Sequence, residues 1–277
     1  MNTNNFNLKG KTALITGSSG LLGVQHASAL LDCGANVVLT DVDLVNLNKA
    51  KDLLLKQFPS SSLYSYIMDV TCEESIQNVN INLLSDNLPI NILINNAAIN
   101  PKIDKESNLK SSSRLEDFSI DEWNREIAVG LTGAFLCSKK FGTEMAKRKN
   151  GGCILNIASD LSVISPDQRI YMQEGVKDDY QPVKPITYSV IKSGLIGMTK
   201  YLATYWLGSN IRCNSLSPGG IYTSQPDDFV VKLSTLIPLG RMAKKEEYKS
   251  AIQFLCSEAS SYMNGHNLIM DGGRSIW

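Results

Sequence analysis

ITYSVIKSGLIGMTK, residues 186–200, places a tyrosine and a lysine four positions apart, Tyr188 and Lys192, downstream of a glycine-rich turn, TGSSGLLG at Thr16 to Gly23. A spacing of four puts both side chains on one helix face, where an ammonium is expected to lower the pKa of a neighbouring phenol. The phenol then becomes a usable acid and base near neutral pH. With the glycine turn, this pairing implies hydride transfer on a bound dinucleotide. The same spacing also arises by chance. Tyr180 and Lys184 share it, but Pro182 lies between them and would remove a helical donor and clash with the preceding turn, so that pair is expected in a loop. Tyr188 instead opens an apolar series, Ile191, Leu195, Met198, Leu202 and Trp206, which should bury one side of a long helix.

Outward from these two segments, short β-branched runs alternate with longer helical patterns. Strands are expected near 11–16, 36–41, 63–68, 91–95, 152–158, 211–216 and 267–270, and helices near 20–33, 43–57, 72–86, 121–148, 186–207 and 244–258. The fold class is α/β: a doubly wound, parallel, seven-stranded sheet with helices on both faces, whose ligands bind outside the carboxyl ends of the strands. With 277 residues and no linker-like composition, a single domain over 1–277 is expected.

Lys+Arg and Asp+Glu both number 27, so no basic field favours nucleic acid or an anionic membrane; small molecules and copies of the same chain are the expected partners. The opening MNTNNFNLKGK lacks the apolar core of a signal peptide, which makes the cytoplasm the expected compartment. Cys33, Cys72, Cys137, Cys153, Cys213 and Cys256 are too dispersed for a metal or redox pair and read as buried free thiols. Only His26 and His266 exist, on an expected helix surface and near a turn, so neither zinc nor a histidine triad is expected.

Gly17, Gly20 and Gly23 follow the strand TALIT and open a helix, the context in which main-chain N–H groups and a helix dipole hold a pyrophosphate. The next strand ends NVVLTDVD, which sets Asp41 where a carboxylate would meet the adenosine ribose hydroxyls and repel a 2′-phosphate. Neither the turn nor Thr40 to Asp43 carries Lys or Arg, so NAD is favoured over NADP. Asp41 can also be read as the N-cap of the following helix.

These residues carry a resemblance to the short-chain dehydrogenase/reductase superfamily, in its compact single-domain, Rossmann-type branch. The likeness runs almost end to end: besides the glycine turn and YSVIK it covers MDV at Met68 to Val70, NNAA at Asn95 to Ala98, NIAS at Asn156 to Ser159, NSLSPGGIYT at Asn214 to Thr223, PLGRM at Pro238 to Met242 and DGG at Asp271 to Gly273. The resemblance implies cofactor contacts at Gly17, Ser19, Gly20 and Leu22. It puts Asp69 and Val70 at the adenine, Asn96, Ala97 and Ala98 at the adenosine ribose, and Pro218, Gly219, Ile221 and Thr223 at the nicotinamide side. It implies that Ser159 bonds the reacting oxygen, that Tyr188 gives or takes the proton, and that Lys192 holds the nicotinamide ribose while tuning Tyr188. A homo-oligomer, dimer or tetramer, built on helices 121–148 and 186–207 is also implied. For Ser159 the alternative is a plain cap or turn residue.

Three features depart from the family pattern. The middle glycine of the turn is Gly20, as in the larger sugar-nucleotide branch, with Leu21 where the compact branch has its glycine. Gly130 stands where the family usually carries an asparagine of the proton relay, which suggests a kink, a close packing contact or lost function. Ser159 and Tyr188 lie 29 positions apart where the family has roughly a dozen, so a segment at about 160–185 is inserted beside the reacting carbon. A lid, a substrate-contacting loop, an oligomer contact and a bland excursion are all open. Between Asp160 and Pro185 it carries three basic and five acidic residues, so no phosphate cluster is evident.

The expectation is an NAD-dependent oxidoreductase interconverting a secondary alcohol and a ketone on a small polar or sugar-derived substrate. The turn, the insertion and the end DGGRSIW are similar to members associated with surface-sugar or flagellin-glycan biosynthesis. The rivals are a non-catalytic dinucleotide sensor or scaffold, which Gly130 permits, and a sugar-nucleotide epimerase or dehydratase, whose extra domain has little room beyond PLGRM.

Overall fold

A computed structural model describes residues 5–99 and 113–277. Seven strands, β1 (Thr12–Thr16), β2 (Asn36–Asp41), β3 (Leu63–Ile67), β4 (Ile92–Asn95), β5 (Gly152–Ile157), β6 (Ile211–Pro218) and β7 (Asn267–Met270), form one parallel sheet in the order β3-β2-β1-β4-β5-β6-β7. Buried on both faces, the central strands read as continuous apolar runs such as TALIT rather than as alternating patterns. The order reverses between β1 and β4, which opens a crevice at their carboxyl ends.

One face is covered by α1 (Leu21–Asp32), α2 (Leu44–Gln57) and α9 (Lys249–Cys256), packed around Ile15, Leu30, Leu39 and Leu255. The other face carries α3 (Glu73–Ser85) and α7 (Ile186–Tyr205), together with a long helical run of α4 (Ile120–Ile127), α5 (Gly133–Cys137) and α6 (Thr143–Arg148). Two π-helical turns, Ala128–Thr132 and Ser138–Gly142, join the last three without a break. Ile191, Leu195 and Leu202 of α7 are buried, as their periodicity predicts. No helix among the described residues is long and apolar enough to cross a membrane.

Three expectations need correction. A further helix, α8 (Asp227–Thr235), follows β6, although its Pro226 cap and acidic first turn are ordinary start signals. His26 does not face solvent: it points into the core of α1 with no exposed surface, and burial pushes its pKa down to about 3. The thiols are not uniformly buried, since Cys72 is exposed and Cys33 is half-buried.

Candidate active site

The chain leaves β1 through Gly17, whose φ of +58° disfavours other residues and whose Cβ would stand 2.8 Å from Ala97 Cα. At Gly23 a Cβ would meet the Gly17 oxygen and Ser18 Cα at 2.6 Å, so α1 packs directly on the turn. Asn96 locks this geometry from β4, donating from Nδ2 to the Thr16 and Gly17 oxygens at 3.0 and 2.9 Å. The main-chain N–H groups of Asn96 and Ala97 both donate to Thr16 Oγ1 at 3.0 Å.

Gly20 is the N-cap of α1, with no side-chain cap and no acidic residue in the first turn. A helix start left uncapped beside an exposed glycine fits the pyrophosphate of a dinucleotide. Leu21, in the position of the missing glycine, is exposed and takes no space from that cradle, while Leu22 packs against the core. Asp41 Oδ2 accepts from Ser19 N and Oγ at 3.1 and 2.5 Å, tying the end of β2 to the turn. The N-cap of α2 is Asp43, not Asp41: its carboxylate accepts from Asn46 N at 3.0 Å.

The other predicted contacts lie along the same edge. Asp69 Oδ1 accepts from Thr71 N and Oγ1 at 2.8 and 2.7 Å, and Val70 is buried against Gly133, where a Cβ would approach its Cγ2 to 2.6 Å. Pro218 ends β6. Gly219 N donates to the Met270 oxygen at 2.9 Å, Ile221 bridges to Ala243, and Thr223 N donates to Gln225 Oε1 at 2.7 Å.

Ser159, Tyr188 and Lys192 meet at the carboxyl end of β5. Lys192 Nζ donates to the Ile157 oxygen at 2.7 Å and lies 5.7 Å from the centre of the Tyr188 ring. Ser159 Oγ donates to Asp160 Oδ1 at 2.8 Å and accepts from Leu161 N at 3.2 Å, so it does cap a short 3-10 turn while facing the phenol. Burial pushes the Tyr188 phenol up; a hydrogen bond with Ser159 opposes this and Asp160 reinforces it. The expected lowering by Lys192 is not found: desolvation sets the direction, and the opposing influence comes from Ser159. Burial also drives Lys192 down to about 8, helped by the second ammonium of Lys184.

The spacing of Lys184 does not announce a role, because the tyrosine four positions before it is Tyr180, across Pro182. That tyrosine is exposed in a 3-10 turn, as expected of a loop, whereas Lys184 Nζ sits 3.7 Å above the centre of the Tyr188 ring. Its pKa is also pushed by burial to about 8. Glu126 was missed too; it is buried on α4 and accepts a hydrogen bond from Thr187 of α7. Glu126, Gly130, Lys184, Tyr188 and Lys192 line one small cavity with Ala98. A Cβ at Gly130 would lie 2.8 Å from Ile191 Cγ2, so this glycine marks a close packing contact inside a π-helical turn.

The insertion is packed down. Ile170 is buried with Leu233, Ile237 and Met242, the Tyr171 and Phe229 rings lie 5.6 Å apart, and Lys232 Nζ of α8 donates to the Met172 oxygen at 2.9 Å. Gln181 closes it internally, accepting from Gln173 N at 2.8 Å and donating to the Val176 oxygen at 2.7 Å. Gln168 Oε1 accepts from Lys184 N at 2.8 Å, which connects the fold of the insertion to the cation over the phenol.

The family described as enoyl-(acyl carrier protein) reductase matches residues 18–275. An NAD-dependent glycerol dehydrogenase of Listeria innocua is 30% identical over 279 residues, covering 98% of this chain and 96% of that one. A 2-dehydro-3-deoxy-D-gluconate 5-dehydrogenase of Bacillus subtilis is 33% identical over 277 residues, with 97% and 96% covered. The crystal structure of a Burkholderia cenocepacia gluconate 5-dehydrogenase in complex with NADP and tartrate superimposes with a TM-score of 0.81 at 26% identity, covering 99% of this chain and 98% of that one.

Proposed function

The chain belongs to the short-chain dehydrogenase/reductase superfamily, an oxidoreductase acting on CH–OH groups, and we propose that it interconverts a secondary alcohol and a ketone on a small polyol or sugar-derived substrate with NAD. The observation that carries this reading is the convergence of Ser159, Tyr188 and Lys192 at the strand edge that also holds the glycine cradle. The dinucleotide, when bound, supplies the hydride acceptor or donor. Gly17, Ser19, Gly20 and Leu22 hold its phosphates, Asp41 its adenosine ribose, Asp69 and Val70 its adenine, and Asn96, Ala97 and Ala98 the adjoining ribose region. Pro218, Gly219, Ile221 and Thr223 border the nicotinamide, and Lys192 reaches its ribose.

Ser159 orients the reacting oxygen. Tyr188 transfers the proton: with its pKa raised by burial it stands protonated, set to donate to a ketone oxygen, and in the reverse direction it must first lose that proton, so that its phenolate accepts the hydroxyl proton as hydride leaves the carbon. Lys192 and Lys184, both near their own titration, stabilise the phenolate that results. The segment at 160–185, inserted in a single domain, selects the substrate and excludes water. Exposed Phe135, Val190 and Tyr201 on the long helices support a homo-oligomer.

NAD rather than NADP rests on the Asp41 carboxylate and the absence of Lys or Arg beside it. Glycerol and gluconate dehydrogenases among the relatives favour polyols and sugar acids. The narrower likeness to surface-sugar enzymes rests on the turn, the insertion and DGGRSIW alone. NADH formation over a panel of glycerol, pentitols, hexitols and gluconate tests the activity, and titration of both cofactors tests the preference. Tighter binding of NADPH than of NADH would refute the NAD assignment, and Asp41→Ala should narrow the preference. No turnover of any alcohol, in either direction, would favour a sensor.

A further inference from the structure

The turn that follows β7 reaches the reacting groups from the edge of the sheet. Asp271 shapes it, its Oδ1 accepting from Gly273 N at 2.9 Å and its Oδ2 from Ser275 N at 2.7 Å. Gly272 and Gly273 take φ of +68° and +89°, which turn the chain inward so that Arg274 is 7% exposed. Its Nη1 donates to Asp160 Oδ2 at 2.8 Å, and Asp160, 3% exposed, holds the Ser159 hydroxyl through Oδ1 at the same distance.

A buried ion pair is a poor way to gain stability, because taking both charges out of water costs about as much as their attraction returns. A pair of packed apolar side chains would hold the turn equally well. What the charges add is direction: a carboxylate fixed by a guanidinium accepts from the neighbouring hydroxyl and holds its oxygen at a defined position, and the single hydroxyl proton turns from Asp160 to the reacting oxygen when substrate arrives. We propose that Arg274 and Asp160 are positioning residues that aim Ser159, making the carboxyl-terminal turn a working part of the catalytic site. The inference rests on the reading that Ser159 orients the reacting oxygen. The groups that face Tyr188 from the surrounding elements are Lys192 and Lys184, Asp160 with its Arg274 partner, Glu126 and Tyr171.

Because positioning acts through Ser159, its loss should not add to the loss of Ser159 itself. Arg274→Lys keeps the charge and shortens the reach, and Asp160→Asn keeps an acceptor. With NAD and the best-used alcohol of the panel, each should lower kcat by about tenfold to a hundredfold and leave the Kd for NADH unchanged. In a Ser159→Ala background the same substitutions should cost less than twofold, whereas multiplied losses would overturn the proposal. A Ser159→Ala enzyme of full activity would instead remove the underlying reading.

A crystal structure of Arg274→Lys gives a readout independent of turnover and of the substrate chosen. The Ser159 hydroxyl is expected to leave its contact with Asp160. An unmoved Ser159, or kcat unchanged in both single variants, would show that the pair only holds the turn.

Discussion

The two halves of the sheet edge are built by different means. Around β1, β2 and β4 the turn is held by main-chain groups and by neutral or locally bonded side chains: Asn96 on Thr16 and Gly17, and Asp41 on Ser19. Around β5 and β6 the edge is built from charge, with buried Lys192, Glu126, Asp160 and Arg274 and half-buried Lys184 brought in from well-separated stretches of chain. The first arrangement makes a rigid cradle for a constant ligand. The second sets two lysines and a phenol whose proton affinities are displaced among further charged side chains, as chemistry on a variable substrate requires.

If the halves are functionally separate, Tyr188→Phe should remove the acid and base without disturbing the cradle. Turnover should fall by about 10²–10⁴-fold while the NADH Kd, read by fluorescence titration, changes by less than about twofold. A parallel loss of NADH binding would break the comparison.

A second effect tests the cradle half. His26 lies under the glycine turn as a neutral imidazole, with neither ring nitrogen hydrogen-bonded within normal limits. Its folded pKa of about 3 is below the ordinary 6.5, so the unfolded chain binds the proton first as pH falls. Stability from this group is complete above pH 6.5 and is lost as the pH drops toward 3. By pH 4 the loss is about 3 kcal/mol at 1.36 kcal/mol per pH unit. His26→Leu should remove most of that loss, seen as a smaller drop in urea midpoint between pH 7.5 and pH 4. An unchanged drop would place the acid sensitivity elsewhere in the molecule.

The same contrast governs what could be read from the sequence. The sheet, most of its helices and the cradle follow from local patterns, since TALIT, the spaced glycines and the α7 periodicity each act over a few residues. Tyr188 and Lys192 are one helical turn apart and are legible for the same reason. Arg274 and Asp160 are 114 positions apart, and no spacing announces that a guanidinium will be delivered to the neighbour of Ser159. Lys184 did leave a signal, four positions before Tyr188 as Lys192 is four after. It was hidden because Pro182 spoiled only its pairing with Tyr180. His26 was misplaced because its side of α1 lies against the turn, and the apolar pattern of that helix is too diffuse to show which face turns inward.

The smallest effect concerns Gly130, where the substrate half departs from its family. A methyl there gains about 1 kcal/mol of helix propensity but must displace Ile191 Cγ2, which would stand 2.8 Å away, and overpacking of this kind costs about 1–3 kcal/mol. Gly130→Ala should therefore be neutral to destabilising by about 2 kcal/mol, measured by urea unfolding. In an Ile191→Ala background the obstacle is gone and the same substitution should stabilise by about 1 kcal/mol. That reversal of sign separates packing from propensity. If Gly130→Ala stabilises both backgrounds alike, close approach of the π-helical turn to α7 is not what the glycine provides. Gly130→Asn, which restores the family residue, should then fold and raise turnover, marking a relay absent from the native chain.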